Sequence, residues 1–184
     1  MPFLKESEIL SMGFRSVGTN PLISSFATFY EAHEITIGNN VRIDDFTCLS
    51  GSIDVGDHVH IGTHGHLAGG GLGITIGDFS GFATGVVMFT RSDDYSGLAL
   101  SNPTIPIEFR LISEESIHIG RHVKAGVRSI FLPGSRVGDG CAFQMNSVIS
   151  GDAKSFHFYA GDPATKITEL SKRLLEEEKR FRQS

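Results

Sequence analysis

Tryptophan is missing from the 184 residues, and only two cysteines and six prolines are present. Cys48 and Cys141 lie too far apart for a metal knuckle or a redox pair. Both fall where a small buried residue is wanted, so they read as buried free thiols. No stretch approaches the ~18–20 consecutive apolar residues of a membrane span. The first twenty residues lack the charged-then-apolar order of a secretory signal, so the expected location is the cytoplasm, with no membrane insertion. Basic charge is also scarce: 16 Lys and Arg stand against 21 Asp and Glu, for a net charge of −5. Neutralising a phosphate backbone needs a basic face, so a nucleic-acid partner is not expected. What remains is one domain's length, 40% hydrophobic and 20% charged, enough to form a core.

Glycine, by contrast, is abundant, with 22 residues, which points to many tight turns. Large apolar residues recur every six positions at Ile37, Ile43, Leu49, Val55, Ile61 and Leu67. The phase slips by three through Gly69, Gly70 and Gly71, resumes at Ile76, Phe82 and Met88, and returns after a gap as Ile119, Ala125, Phe131, Val137, Phe143 and Ile149. Two places before each lies a smaller or β-branched residue, as at Ile35, Val41, Thr47, Val59 and Cys141. Neither an amphipathic helix nor one long strand has this period. Short strands joined by small-residue corners do, three to a turn, with the turns stacked so that each strand pairs with its copy above. The apolar positions then form one column.

The segments ITIGNNVRID, IDVGDHVHIG, ITIGDFSGFA and IHIGRHVKAG, with the ending AGDPATKI at 160–167, resemble the hexapeptide-repeat acyltransferases. The likeness spans about residues 7–167. It implies an all-β fold, a left-handed parallel β-helix with a protruding loop and a C-terminal α-helix. SDDYSG with the later NPTIP is similar to sugar-modifying acetyltransferases of polysaccharide biosynthesis. The implied activity is transfer of an acetyl group from acetyl-CoA to the hydroxyl or amine of a sugar or nucleotide sugar, by a homotrimer with its sites in grooves between subunits.

The expected division is an entry segment with a short helix at 1–34, the β-helix at 35–167 carrying an inserted loop at 89–116, and a C-terminal helix at 168–184. So long a loop in a regular solenoid is expected to be functional, walling off the acceptor. Acetyl transfer to an alcohol needs a base and an oxyanion donor. The resemblance puts the family's catalytic histidine at Asp93, where this sequence departs from the pattern, and an acceptor-lining asparagine at His66. His66 and Asp93 are therefore expected to meet, with His60 and His64 as the rival bases. His64 and Asp94 are candidates for binding the acceptor, as are Asp44 and Asp45, whose alternative is turn solvation. His118 and His122 are expected to be exposed. An amine acceptor would need less of a base than an alcohol.

For coenzyme A the resemblance implies Gly126, Val127, Met145, Ser150 and Lys166, the lysine serving the 3′-phosphate as a flexible point charge. Gln144 and Met145 are bulkier than the small residues usual there and would narrow the groove. Two other classes share the fold. A γ-carbonic-anhydrase-like zinc enzyme needs three converging histidines, an arrangement that His60, His64 and His66 lack, so no metal is expected. A silent scaffold would not be stabilised by coenzyme A.

Overall fold

The computed structural model describes residues 2–183 and shows a parallel β-helix of about seven turns. Each turn contributes one strand to each of three sheets. The first sheet runs through Ser16–Val17, Ile35–Ile37, Ile53–Val55, Ile74–Ile76, Ile117–Ile119, Arg136–Val137 and Asp152–Ala153. The second contains Leu22–Ile23, Arg42–Ile43, His60–Ile61, Gly81–Phe82, Lys124–Ala125, Ala142–Phe143 and His157–Gly161. The third contains Thr28–Tyr30, Cys48–Ser50, His66–Ala68, Val87–Phe89, Ile130–Phe131 and Val148–Ile149.

The six-residue period has the predicted consequence. Ile37, Val55, Ile76, Ile119 and Val137 pair rung on rung and are all buried. The smaller residues two places earlier line the same interior. Where these are hydroxyls they donate to turn carbonyls: Thr47 to Gly62, Ser80 to Gly120, Ser129 to Gly126, and Ser147 to Gln144. A buried hydroxyl without such a partner would be costly. In the later turns the column is filled by rings, Phe82, Phe131, Phe143 and Tyr159, in successive contact. The Tyr159 hydroxyl accepts the backbone N–H of Lys154 at 2.7 Å. Both cysteines are free, Cys141 buried and Cys48 half-buried.

One corner is fastened by a chain of side chains. The carboxamide oxygen of Asn39 and the carboxylates of Asp57, Asp78 and Asp139 each accept a backbone N–H from the turn before, from Thr19, Asn39, Asp57 and Arg121 respectively. Next to these acceptors, residues in the left-handed region stack along the axis, among them Asn40, His58, Phe79 and His122. They are mostly not glycine, because their rings gain contact with one another: His58 on Phe79 at 4.8 Å and Phe79 on His122 at 5.1 Å.

Three boundaries differ from expectation. The solenoid begins at Ser16 rather than 35, because the first turn carries few large apolar residues and its period is hidden. The Ala164–Glu169 segment is a strand that folds back antiparallel on His157–Gly161 and closes the second sheet. The C-terminal helix is consequently shorter, α2 at Leu174–Phe181, while α1 spans Glu6–Ser11 near the other end. The inserted loop is also ordered, with Arg91–Asp93 pairing antiparallel with Ile112–Glu114 as an arm.

Candidate active site

The corner between the second and third sheets carries most of the expected site. His60 leaves the second sheet just before it, His64 sits on it in the left-handed region, and His66 leaves the third sheet just after it. All three are exposed. Farther down the same corner lie Gly126 and Val127, then Met145 one turn on, where the Asn146 N–H donates to the Val127 carbonyl at 2.8 Å. Gly126 has a packing reason to be glycine: a Cβ there would come within 2.5 Å of the Met145 backbone nitrogen. Val127 and Met145 are exposed apolar side chains. Ser150 is exposed at the end of the third sheet. Lys166 is exposed on the closing strand, opposite Tyr159. The fold therefore brings Gly126, Val127 and Met145 together on one corner, with Ser150 and Lys166 on neighbouring elements.

The expected meeting of His66 with Asp93 does not occur within the chain. Asp93 accepts Arg110 Nη2 at 2.9 Å and the Asn102 N–H at 3.1 Å, and these bonds hold its carboxyl below the usual range. Asp94 is engaged likewise: its carboxylate accepts the Ser96 hydroxyl and N–H and the Leu98 N–H, which also lowers it. Both carboxylates organise the arm, because an antiparallel arm with a wide tip has backbone donors that need partners. Within the chain, Asp93 and Asp94 therefore take their hydrogen bonds from the arm itself.

The carboxylate that does meet a histidine is Asp44. Its Oδ2 lies 2.8 Å from His60 Nε2, and its Oδ1 accepts Arg42 Nε at 2.7 Å. Asp44 is buried, 5% exposed. Burial pushes its pKa up, but the hydrogen bonds from His60 and Arg42 outweigh that and hold it below the usual carboxylate range. An ionised Asp44 fixes His60 with Nε2–H turned inward and Nδ1 free, the orientation a general base needs. Asp45 bonds the Ser24 hydroxyl. The sequence raised His60 as a base and Asp44 as an acceptor-binding or turn residue, but offered no sign that the two are partners.

His118 is exposed as expected, but His122 is buried, 8% exposed. Helix α2 covers it: Glu178 accepts His122 Nε2 at 2.7 Å, also pairs with Arg121 and Arg182, and Phe181 lies edge-on to His58 and Phe79.

No family model matches the chain. It is 41% identical over 187 residues, all of this chain and 97% of the other, to the dTDP-4-amino-4,6-dideoxy-D-glucose acyltransferase of Escherichia coli. The chain belongs to the hexapeptide-repeat acyltransferases. The structure of AntD, an N-acyltransferase from Bacillus cereus solved with dTDP and 3-hydroxybutyryl-CoA, superposes on this acyltransferase with a TM-score of 0.97. Their identity is 36%, over 100% of this chain and 98% of that one. A variant of AntD solved with dTDP-4-amino-4,6-dideoxyglucose and coenzyme A superposes equally well, at 36% identity over 99% and 98%. A hexapeptide-repeat acetyltransferase from Vibrio cholerae, 18% identical with a TM-score of 0.60 over 92% and 83%, shares the fold. The acyltransferase takes its acyl group from an acyl-CoA thioester. Among its described residues no helix is long and apolar enough to cross a membrane.

Proposed function

We propose that this acyltransferase moves an acetyl group from acetyl-CoA to the 4-amine of a nucleotide-linked 4-amino-4,6-dideoxyhexose. The observation that carries the reading is the full-length likeness to an enzyme named for that substrate. The site supports it: the arm's carboxylate is tied to Arg110, and the one histidine–carboxylate pair at the corner is His60 with Asp44. Coenzyme A lies along the corner past Gly126, Val127 and Met145, with Ser150 near its course and Lys166 taking the 3′-phosphate. The amine nitrogen attacks the thioester carbonyl, the new C–N bond forms, and the C–S bond breaks. His60 Nδ1 takes the proton that nitrogen sheds, and the departing thiolate receives it. Asp44 keeps the ring in place, and His64 and His66 border the acceptor.

The enzyme works as a homotrimer in the cytoplasm, with the arm of one subunit against the corner of the next. We retain the three-part division into entry segment, β-helix and C-terminal helix, with boundaries at the observed elements. The test is an assay of acetyl-CoA with dTDP-4-amino-4,6-dideoxyglucose, its 4-hydroxy counterpart and the free amino sugar, following thiol release and product mass. The expected result is acetylation of the nucleotide-linked amine. Acetylation of the 4-hydroxy compound at a comparable kcat/KM would overturn the amine reading.

A further inference from the structure

Strand register sets Arg42, His60, Gly81, Lys124 and Ala142 in one outward row along the second sheet, while their neighbours Ile43, Ile61, Phe82, Ala125 and Phe143 point into the core. Gly81 is the unusual member. Gly56, Gly62, Gly77, Gly120 and Gly126 are explained by packing, since a Cβ at each would meet backbone of the next turn at 3.0 Å or less. Others take a positive φ. Gly81 has neither reason: its φ lies outside the left-handed region, and nothing lies within 4 Å of an added Cβ; Gly71, beside the arm, is the other glycine without one, meeting only Glu114 Oε1 at 3.8 Å. The result is a notch one side chain deep in an otherwise continuous row.

The notch has one cationic wall, Lys124, and one formed by the His60 ring. Rungs are about 4.8 Å apart, so His60 and Lys124 stand one rung to either side. His60 is held by Asp44, which Arg42 also engages. Lys124 is exposed and makes no ion pair or side-chain hydrogen bond within the described residues. The exposed Arg128 follows on the adjoining corner. The row itself contains no carboxylate, although the chain as a whole is acidic. A compact anion fits such a place: bare backbone admits it close to the sheet, and a mobile ammonium meets its charge.

We propose that the notch over Gly81, between His60 and Lys124, seats the pyrophosphate of the nucleotide-linked acceptor. This rests on the function proposed above and adds the site that reads the nucleotide. Spacing favours the acceptor over coenzyme A. One pyranose ring separates a 4-amine from the phosphate at the anomeric carbon, and one rung separates His60 from Gly81. An amine at His60 therefore brings its own phosphates over the glycine. The pyrophosphate of coenzyme A has the same chemistry but lies a whole pantetheine arm from the thioester.

The test is calorimetric binding of dTDP and, separately, of coenzyme A to wild type, Lys124→Gln and Gly81→Glu, with Tm and light-scattering mass for each. Gly81→Glu should leave Tm unchanged, because its Cβ enters open space, while placing a carboxylate where the phosphate belongs. The expected result is dTDP affinity weakened about tenfold or more in both variants, the loss of a charge-assisted hydrogen bond, with coenzyme A affinity unchanged. Should Gly81→Glu fold poorly, Lys124→Gln decides alone. The proposal is overturned if dTDP binds Lys124→Gln within twofold of wild type, if coenzyme A affinity falls instead, or if Gly81→Glu alters the oligomer's mass. Failure of wild type to bind dTDP at all would instead sink the nucleotide-sugar reading, and this inference with it.

Discussion

A single hydrogen bond separates the two histidines proposed as the base. His60 and His66 look equivalent along the chain, both outward on strands beside the same corner, and only His60 has a buried carboxylate behind it. His60→Ala should lower kcat by about 10²–10⁴-fold, the usual worth of a positioned base, with KM for acetyl-CoA little changed. Asp44→Asn should lower kcat less and also spare that KM, because the ring remains but its orientation loosens. Steady-state kinetics with the nucleotide amine check both; a near wild-type kcat for His60→Ala would mean that the amine needs no protein base. The lowered pKa of Asp44 has a definite sign. Its stabilising contribution is complete above the unfolded carboxylate value of about 3.9 and disappears only as pH falls below it, so Asp44 stays ionised through any neutral assay. Lys166→Ala should weaken coenzyme A binding while sparing dephospho-coenzyme A, measured by calorimetry. Equal weakening of both would remove Lys166 from the 3′-phosphate. The sequence proposes the histidines by resemblance and Lys166 by position and charge. It does not propose the Asp44 partnership, which joins residues sixteen positions apart through a fold the local sequence does not state.

Among the structural elements, the strands were the most readable and the arm and α2 the least. A period of six survives a three-residue slip because inward positions tolerate nothing large and polar, so the pattern is written by the core itself. The arm's pairing of Arg91–Asp93 with Ile112–Glu114 left no such mark: it buries little and is held by Arg91–Glu114 and Arg110–Asp93 instead. Helix α2 showed its apolar stripe but not its seat, since nothing in Glu176–Arg180 distinguishes a clamp from a solvated face. The seat is electrostatic. Burial raises the pKa of Glu178, but Arg182, His122 and Arg121 together hold it at about 2, against an ordinary value of 4.5. A depressed carboxylate stabilises above its unfolded pKa and loses that contribution as pH falls toward the folded one. Docking of α2 should therefore be full at neutral pH and weaken from about pH 4.5 down to about 2, read by hydrogen exchange over residues 174–181. Glu178→Gln should weaken docking at neutral pH by about 1–3 kcal/mol and flatten this acid dependence. Identical profiles for the two proteins would show that the rings of His58, Phe79 and Phe181 hold the helix unaided.

The arm carries a row of exposed apolar side chains at its tip. Tyr95 is 94% exposed and Leu98 84%, and Leu100, Ile107, Phe109 and Leu111 are also exposed along the same 95–111 tip. Across the body, Phe26 stacks on Phe46 and Phe46 on His64, an exposed ridge of rings beside the proposed site. A soluble monomer rarely presents contiguous apolar surface of this kind. The tip is not loose chain either, since Asp93 and Asp94 bind its backbone donors and fix its shape before any partner arrives. In the proposed trimer a rigid apolar arm on one side and a ring-lined corner on the other would make a head-to-tail contact that closes around an axis. Light scattering at micromolar concentration should therefore report three subunits. Leu98→Glu combined with Phe109→Glu changes only exposed positions, so the coils should keep their far-ultraviolet circular dichroism while the assembly falls to monomers. If the arm completes the neighbouring site, activity should fall with assembly by a factor on the order of 100, the penalty for misplacing reacting groups. A monomeric double variant with full activity would show that each chain carries a complete site. A double variant that stays trimeric would move the contact to another face.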